Sequence, residues 1–430
     1  MCSTSYLMGV QQGVSISTVP FELLLSIFSS LEDDKQALAS CTLVSKAWRD
    51  LALPLLYATM KFESARPDTS FLEFAEQHQD LTGYIKHLTL SGQGLRWGIT
   101  TTPVLVLDAL VSILSKLPAL LRLSLSSFRF LSRTDSQIEG PRSTPFALRR
   151  LDVLDFCQAT SLRSAVADLA GLLSAFTVRT LEFGRVHHYR VDNTAYGTAC
   201  THRFDVPNLV VWGMSKEIGL VVRRDTLRSL RVRHLLRWMV PEYIVVFLRD
   251  HGRNITELDL DLSWIQGLAC RGERPSLLAH CPHAETVCCT PAPPAPSPQL
   301  MQVVGEAASS CRALEALVLR IDEVHPTNSL VFSGLLGTLE AGALRKIVLS
   351  VDRASSVWPL HLESDEADEG WDWKAVDTLL SRARYPMLDS VVLAPQRPRA
   401  GDTQHNLYSA AAKMLPAVHN AGLLQVALCV

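Results

Sequence analysis

Six residues between Cys270 and Cys289 carry side chains of the kind that bind zinc: Cys270, His280, Cys281, His283, Cys288 and Cys289. A tetrahedral site needs four such donors converging on one point, with the thiolates deprotonated. Their spacing fits neither a zinc ribbon nor a finger, and Val287 and Cys289 alternate around Cys288 as core positions of a strand do. No metal and no cofactor is expected. A second group, His187, His188 and Tyr189 with His202, has the residue types of acid–base catalysis, but such work needs an orienting carboxylate and a nucleophile beside the imidazole. The chain has no G-x-S-x-G elbow, no H-E-x-x-H pair, no P-loop and no kinase signature. It is expected not to be an enzyme.

What remains is the chemistry of charge. Residues flanking buried strand positions point the opposite way, and in this chain that outward row reads Thr180, Glu182; Ser229, Arg231, Arg233; Glu257, Asp259, Asp261; Thr286, Cys288; Ala316, Val318, Arg320; Lys346, Val348, Ser350. Two readings stand side by side. In one, Arg231 and Arg233 form a cross-strand ladder with Asp259 and Asp261, each exposed pair contributing at most about 1 kcal/mol. In the other, Arg231, Arg233, Asp259, Asp261 and Arg320 bind a protein target, with Arg223, Arg224, Arg228 and Arg237 making the neighbourhood suited to acidic or phosphorylated groups. The acidic tract Glu363 to Asp372, with Trp371 and Trp373, is either a solvated loop or a recognition lip.

These residues must be positioned by strands, and the strands recur. Segments of the form Leu-x-Leu appear as KHLTL (Lys86 to Leu90), LRLSL (Leu121 to Leu125), RRLDV (Arg149 to Val153), RTLEF (Arg179 to Phe183), RSLRV (Arg228 to Val232), TELDL (Thr256 to Leu260), ETVCC (Glu285 to Cys289), EALVL (Glu315 to Leu319), RKIVL (Arg345 to Leu349), DSVVL (Asp389 to Leu393) and LQVAL (Leu424 to Leu428). Leu123, Leu151 and Leu181 are 28 and 30 apart; Leu230, Leu258, Val287, Leu317 and Ile347 are 28, 29, 30 and 30 apart. Helical patterns lie between: Val104 to Lys116, Ser164 to Phe176, Pro241 to Asp250, Leu300 to Cys311, Val331 to Ala341, Trp373 to Arg384 and Tyr408 to His419. One strand and one helix per unit resembles a divergent leucine-rich repeat, in which each unit stacks on the next to bury its apolar face. The Asn ladder of that family is missing. A Rossmann-like α/β sheet is the alternative, and it would need a Gly-rich phosphate turn that the chain lacks. The gaps of 49 from Leu181 to Leu230 and 44 from Ile347 to Val391 are expected to hold inserted loops, and TPAPPAPSP (Thr290 to Pro298) a stiff surface connection.

The segment from Val19 to Tyr57 packs three short amphipathic patterns into fewer than forty residues. Leu23, Leu24, Ile27, Phe28 and Leu31 make one wide stripe on a helix that Pro20 can start, and Leu43, Val44, Ala47, Trp48 and Leu51 repeat the spacing. A hairpin this small cannot bury all of that surface alone. Val19-Pro20, Leu23, Ile27-Phe28, Leu31, Asp33-Asp34, Leu38, Val44-Ser45-Lys46 and Trp48 resemble an F-box, with Val19 where Leu is usual. The continuation into Pro54 to Tyr57 is similar to a large fungal, basidiomycete-type group of that family. The resemblance implies a substrate-recognition subunit of a Skp-cullin-F-box ubiquitin ligase, docking on the Skp adaptor through Pro20, Leu23, Leu24, Ile27, Phe28, Leu31, Leu43, Val44 and Trp48, and through it on cullin, while the repeats hold an unknown protein substrate. The alternative is a scaffold that binds the adaptor without ubiquitin transfer. The expected fold is α/β: a flexible N-terminus (1–17), a three-helix F-box (18–60), a linker (61–83) and a leucine-rich-repeat-like solenoid (84–430).

Composition agrees with a folded, internal protein. The 430 residues are 47% hydrophobic and 20% charged, and the formal net charge is -2. A balanced surface lacks the concentrated positive field that nucleic acid or an anionic membrane attracts, so neither partner is expected. Ten scattered cysteines read as buried thiols in a reducing compartment. With no signal-like start and no run of the ~18 apolar residues a membrane span needs, the expectation is an intracellular soluble protein, cytoplasmic or nuclear.

Overall fold

Short polar caps and apolar spacing delimit the first helices. The computed structural model describes residues 19–92, 103–131, 145–154, 156–158, 169–184, 186–188, 203–212, 219, 221–233, 241–261, 298–321, 326–351, 372–395 and 403–427. Helices α1 (Phe21–Ser30), α2 (Lys35–Cys41) and α3 (Lys46–Leu56) come first. Pro20 sits just outside α1 as its N-cap, and its carbonyl accepts from the amides of Leu23 and Leu24 at 3.1 Å. Asp34 accepts from the Ala37 amide at 2.9 Å and Ser45 from the Trp48 amide at 3.2 Å, satisfying donors that a helix start leaves open. Phe28, Leu38 and Ala52 form the core of this unit, with Leu24, Leu31, Trp48 and Leu51 packed against it. The rings of Phe28 and Trp48 meet edge to face, centroids 5.3 Å apart.

The chain leaves α3 straight into a sheet. Strand β1 (Thr59–Ser64) and helices α4 (Pro67–Gln77) and α5 (Gln79–Thr82) occupy the residues 61–83 expected as a linker. Met60 and Phe62 alternate toward the core without the Leu-x-Leu signature, which is why the strand is not legible as one of the series. Phe62 meets Phe71 at 5.4 Å and Phe74 at 5.6 Å, and Tyr57, at the end of α3, stacks on Phe74 at 6.4 Å.

Strands β2 (His87–Gly92), β4 (Arg122–Ser126), β6 (Phe146–Leu154), β8 (Phe176–Phe183), β10 (Asn208–Trp212), β11 (Ser229–Arg233), β12 (Glu257–Asp261), β13 (Ala316–Ile321), β14 (Lys346–Val351), β15 (Ser390–Pro395) and β16 (Leu424–Val426) follow β1 in the order in which they pair. Among the described residues they make one twelve-stranded sheet, and every neighbouring pair is parallel. The pairs β3 (Val104–Val106) with β5 (Arg129–Leu131), and β7 (Phe156–Gln158) with β9 (Val186–His188), stand apart as two small sheets. Parallel neighbours need crossovers, and helices supply several: α6 (Leu107–Ser115), α7 (Pro241–His251), α8 (Pro298–Ala308), α9 (Pro326–Thr338), α10 (Trp373–Leu379), α11 (Gln404–Met414) and α12 (Pro416–Asn420). The protein is thus mixed α/β, with N-terminal helices and a long parallel sheet.

Register explains the beat in the sequence. Met60, Leu88, Leu123, Leu151, Leu181, Leu209, Leu230, Leu258, Leu317, Ile347, Val391 and Leu424 are successive partners, and Phe62, Leu90, Leu125, Val153, Phe183, Val211, Val232, Leu260, Leu319, Leu349, Leu393 and Val426 form the next row. Both rows face one continuous apolar core. Where an Asn ladder is missing, main-chain carbonyls serve. Two successive amides at the start of a strand donate to a single carbonyl of the preceding unit: Thr256 and Glu257 to Arg228, Glu315 and Ala316 to Thr256, Arg345 and Lys346 to Glu315, Asp389 and Ser390 to Arg345, at 2.8 to 3.1 Å. The same pattern joins Leu121 and Arg122 to Lys86, and Arg149 and Arg150 to Leu121.

Three further expectations change. The gap after Leu181 holds β10, with Leu209 and Val211 in the inward rows, so part of the expected insert is sheet. Pro416 divides the pattern Tyr408 to His419 into α11 and α12, because proline cannot donate within a helix but fits its first position. Val104 to Val106 are strand rather than helix. The expected strand Glu285 to Cys289, the TPAPPAPSP connection, residues 1–17 and most of the acidic tract lie outside the described residues, and β12 pairs directly with β13.

Candidate functional site

Helix α1 turns about 100° per residue, which spreads Phe21, Leu23, Leu24, Leu25, Ile27, Phe28 and Leu31 over an arc of about 200°. Its own core uses the middle of that arc. Phe28 is 1% exposed, and Leu24, Leu31 and Trp48 pack around it. One flank leaves Leu23 and Ile27 at 56% and 52% exposure, and the α2–α3 connection leaves Leu43 and Val44 at 86% and 59%. Pro20 is exposed beside them. The other flank adds Phe21 and Leu25, exposed and absent from the sequence-based set although they lie on the same helix. The nine residues therefore divide into a group that closes the helical unit and a group that presents apolar surface to its outside.

The outward face of the sheet is the second surface. Asp259 is 1% exposed, although its strand position faces away from the core, because guanidiniums flank it on both sides. Arg320 grips it with two donors, Nε to Oδ1 at 2.9 Å and Nη2 to Oδ2 at 3.1 Å, and Arg231 Nε reaches Oδ2 at 2.5 Å. Asp261 is also buried and stands opposite Arg320 in register. Arg233, half-buried on β11 in register with Trp212 of β10, lies in the field of both Asp259 and Asp261. Burial first, and then the charges of Arg320 and Arg231, hold its guanidinium below the ordinary arginine value, against the opposing charges of Asp259 and Asp261. A parallel network lies four strands away. Asp152, 1% exposed, accepts from Arg122 Nε at 2.7 Å and Arg150 Nε at 2.6 Å; Arg150 also pairs with Glu182, whose Oε1 accepts from Trp212 Nε1 at 2.5 Å. Asp152, Arg122, Arg150 and Trp212 escaped the sequence-based set, yet they obey the alternation that singled out Asp259.

Further along the same face the charges stop. Val318, Val348, Val392 and Ala394 form a small buried apolar cluster on β13 to β15. Cys311 is buried in the main core, and burial pushes its thiol up to about 12, far from thiolate chemistry. The candidate zinc ligands Cys270, His280, Cys281, His283, Cys288 and Cys289, and likewise Arg237, Tyr189 and His202, fall outside the described residues. Among the described residues no group of three or more His, Cys, Asp or Glu is placed to hold a metal ion, and no helix is long and apolar enough to cross a membrane.

Residues 16–95 match the family model of the COS11 F-box domain. The chain is an F-box protein. F-box domains generally bind Skp adaptors, and in this F-box protein the matched span runs beyond α3 through β1 and α4 into β2, the stretch that joins the first helices to the sheet. No curated protein matches the chain.

Proposed function

We propose that this F-box protein is the substrate-recognition subunit of a Skp-cullin-F-box ubiquitin ligase and performs no bond chemistry itself. The observation that carries the reading is the exposed set Leu23, Ile27, Leu43 and Val44 on helices whose own core is already closed by Phe28, Leu38 and Ala52. Such residues cost free energy in water and are the kind that a protein interface removes from it. The Skp adaptor covers this surface and connects the chain to cullin. Residues from β1 onward form a stacked, leucine-rich-repeat-like array that holds a protein target near a ubiquitin-conjugating enzyme, so that proximity raises the local concentration of the reacting groups. The target binds the outward face of the sheet, on the strands that carry Arg231, Arg233, Asp259, Asp261 and Arg320.

The test is co-purification of adaptor and cullin with tagged chain, wild type against the double variant Leu23→Asp/Ile27→Asp. Charges in a desolvated interface should abolish capture of both, with circular dichroism unchanged. Undiminished capture by the folded variant overturns the adaptor surface; adaptor without cullin overturns the ligase role.

A further inference from the structure

Where a strand of the long sheet begins, two residues stand between buried rows, as Arg149 and Arg150 stand between Leu148 and Leu151. In register, these pairs line one edge of the sheet. On β2, β4, β6, β8, β10 and β11 they read Lys-His, Leu-Arg, Arg-Arg, Arg-Thr, Pro-Asn and Arg-Ser. Neighbouring strands thus bring Lys86, Arg122, Arg149, Arg150, Arg179 and Arg228 to this edge, and no carboxylate at these positions. The next two strands reverse the sign, with Glu257 and Glu315. The cations are not equivalent. Arg122 and Arg150 turn to Asp152 and Glu182 on the outward face, and Arg228 reaches the Asn254 carbonyl at 3.5 Å. Lys86, Arg149 and Arg179 are exposed and make no side-chain hydrogen bond or ion pair among the described residues. Arg149 stands opposite Arg179, between the partners Leu148–Val178 and Arg150–Thr180, and like charges so placed repel. The same field reaches His87, whose imidazole is held below its ordinary value by burial and then by Arg122, against Glu32, with Lys86 acting on the side of Arg122.

We infer that this edge, from Lys86 to Arg179, binds an acidic segment of the target polypeptide that runs across the starts of the strands. The inference rests on the reading of the sheet as the region that holds a protein target, and adds a contact at its edge with a stated chemistry. Three strand spacings of about 4.8 Å put Lys86 and Arg179 about 14 Å apart, which an extended stretch of about five residues spans. Leu121, 40% exposed, lies in the row between Lys86 and Arg149. The segment that fits therefore carries an acid, an apolar residue and then two further acids. Arg149 and Arg179 each offer a planar fork of donors to a carboxylate, and its arrival replaces the repulsion between two cations with two ion pairs. A nucleic acid fits less well. Glu257 follows β11 in the row, and a formal net charge of -2 supplies no wide positive field.

The experiment is a fluorescence-anisotropy titration of the full chain into three dye-labelled probes: the end-blocked peptide Glu-Leu-Gly-Glu-Glu, its counterpart Gln-Leu-Gly-Gln-Gln, and a short oligothymidylate. The acidic peptide should bind saturably, more weakly as salt is raised, and the Gln peptide should not bind. Arg149→Gln/Arg179→Gln should weaken binding about tenfold with circular dichroism unchanged, the size expected for the loss of two exposed ion pairs. Arg149→Lys/Arg179→Lys, which keeps the charge, should retain most of the affinity. Arg345→Gln removes an edge cation that pairs with Asp389 instead, and should bind as wild type does. No saturable binding by wild type, equal affinity of the Gln double variant, an equal loss in Arg345→Gln, equal binding of the Gln peptide, or tighter binding of the oligothymidylate than of the acidic peptide overturns the proposal. Adaptor capture by the double variant, measured alongside, should equal wild type. A wild-type chain that captures adaptor but not the peptide overturns this inference alone; one that binds the peptide but not the adaptor strikes the ligase reading alone.

Discussion

Replacing Asp259 with alanine removes the carboxylate that Arg231 and Arg320 share, and the structure sets the size of the effect. On the Arg320 side, a guanidinium with 14% exposure loses a bidentate partner that is 1% exposed, the situation in which breaking a buried pair costs about 3–5 kcal/mol because the remaining charge is stranded. On the Arg231 side the guanidinium is 36% exposed and recovers water, so that contact adds less than about 1 kcal/mol. The expected loss for Asp259→Ala is therefore about 3–4 kcal/mol, carried mainly by Arg320. Arg231→Ala should cost under about 1 kcal/mol. Removing both charges in Asp259→Ala/Arg320→Leu should recover part of the loss, since no uncompensated charge is left buried. The assay is urea unfolding of these three variants and of Arg320→Leu alone, with amide exchange to confirm that β11 to β13 open first. An Asp259→Ala variant within about 1 kcal/mol of wild type, or a double variant whose loss equals the sum of the singles, would refute the account of this face as an electrostatic frame.

Further outcomes follow from single positions. Phe28→Ala should cost about 3–5 kcal/mol within the first helices and abolish adaptor capture by unfolding them, visible as lost helicity, whereas Leu43→Asp should abolish capture with helicity intact. Gly305→Ala should lower the melting temperature, because the added carbon would lie 2.6 Å from the Leu335 carbonyl oxygen and closer still to Thr338 Oγ1 where α8 meets α9; overpacking of this kind costs about 1–3 kcal/mol. Burial holds His251 below the ordinary imidazole value, against the carbonyls of Val222 and Phe247 and the charge of Asp250, with Arg224 acting the same way as burial. The unfolded chain takes up that proton first, so its contribution to stability is present above about pH 6.5 and lost as pH falls through the folded value. Urea midpoints of wild type and His251→Gln should converge on acidification; parallel curves would show that this imidazole does not couple to folding.

The inward rows were legible because strand periodicity needs nothing beyond the neighbours on the chain. Leu123, Leu151, Leu181, Leu230, Leu258, Leu317 and Ile347 all fall in one register row. Strand β1 was not legible, since Met60 and Phe62 stand where leucines recur elsewhere and the segment follows directly on α3. Strand β10, NLVVW, lacks the Leu-x-Leu form, and although Leu209 stands 28 residues after Leu181, Leu230 follows it by only 21, off the beat of the other units. For the charged row the sequence placed Asp259 on the outer face but not its burial, which comes from Arg231 and Arg320 closing over it. The division of α1 was likewise beyond the sequence. A stripe containing Leu23, Leu24, Ile27 and Phe28 says that much apolar surface must be covered; only the placement of α2 and α3 says that Phe28 is covered from within and Ile27 is not.

If the exposed apolar surface on the first helices docks a Skp adaptor, calorimetric titration of purified adaptor into the full chain measures that association directly. Binding should be one-to-one with a negative heat-capacity change, the mark of apolar area leaving water, and Leu23→Asp/Ile27→Asp should give no measurable heat. Absence of binding by the folded wild-type chain, or equal binding by the double variant, would contradict it.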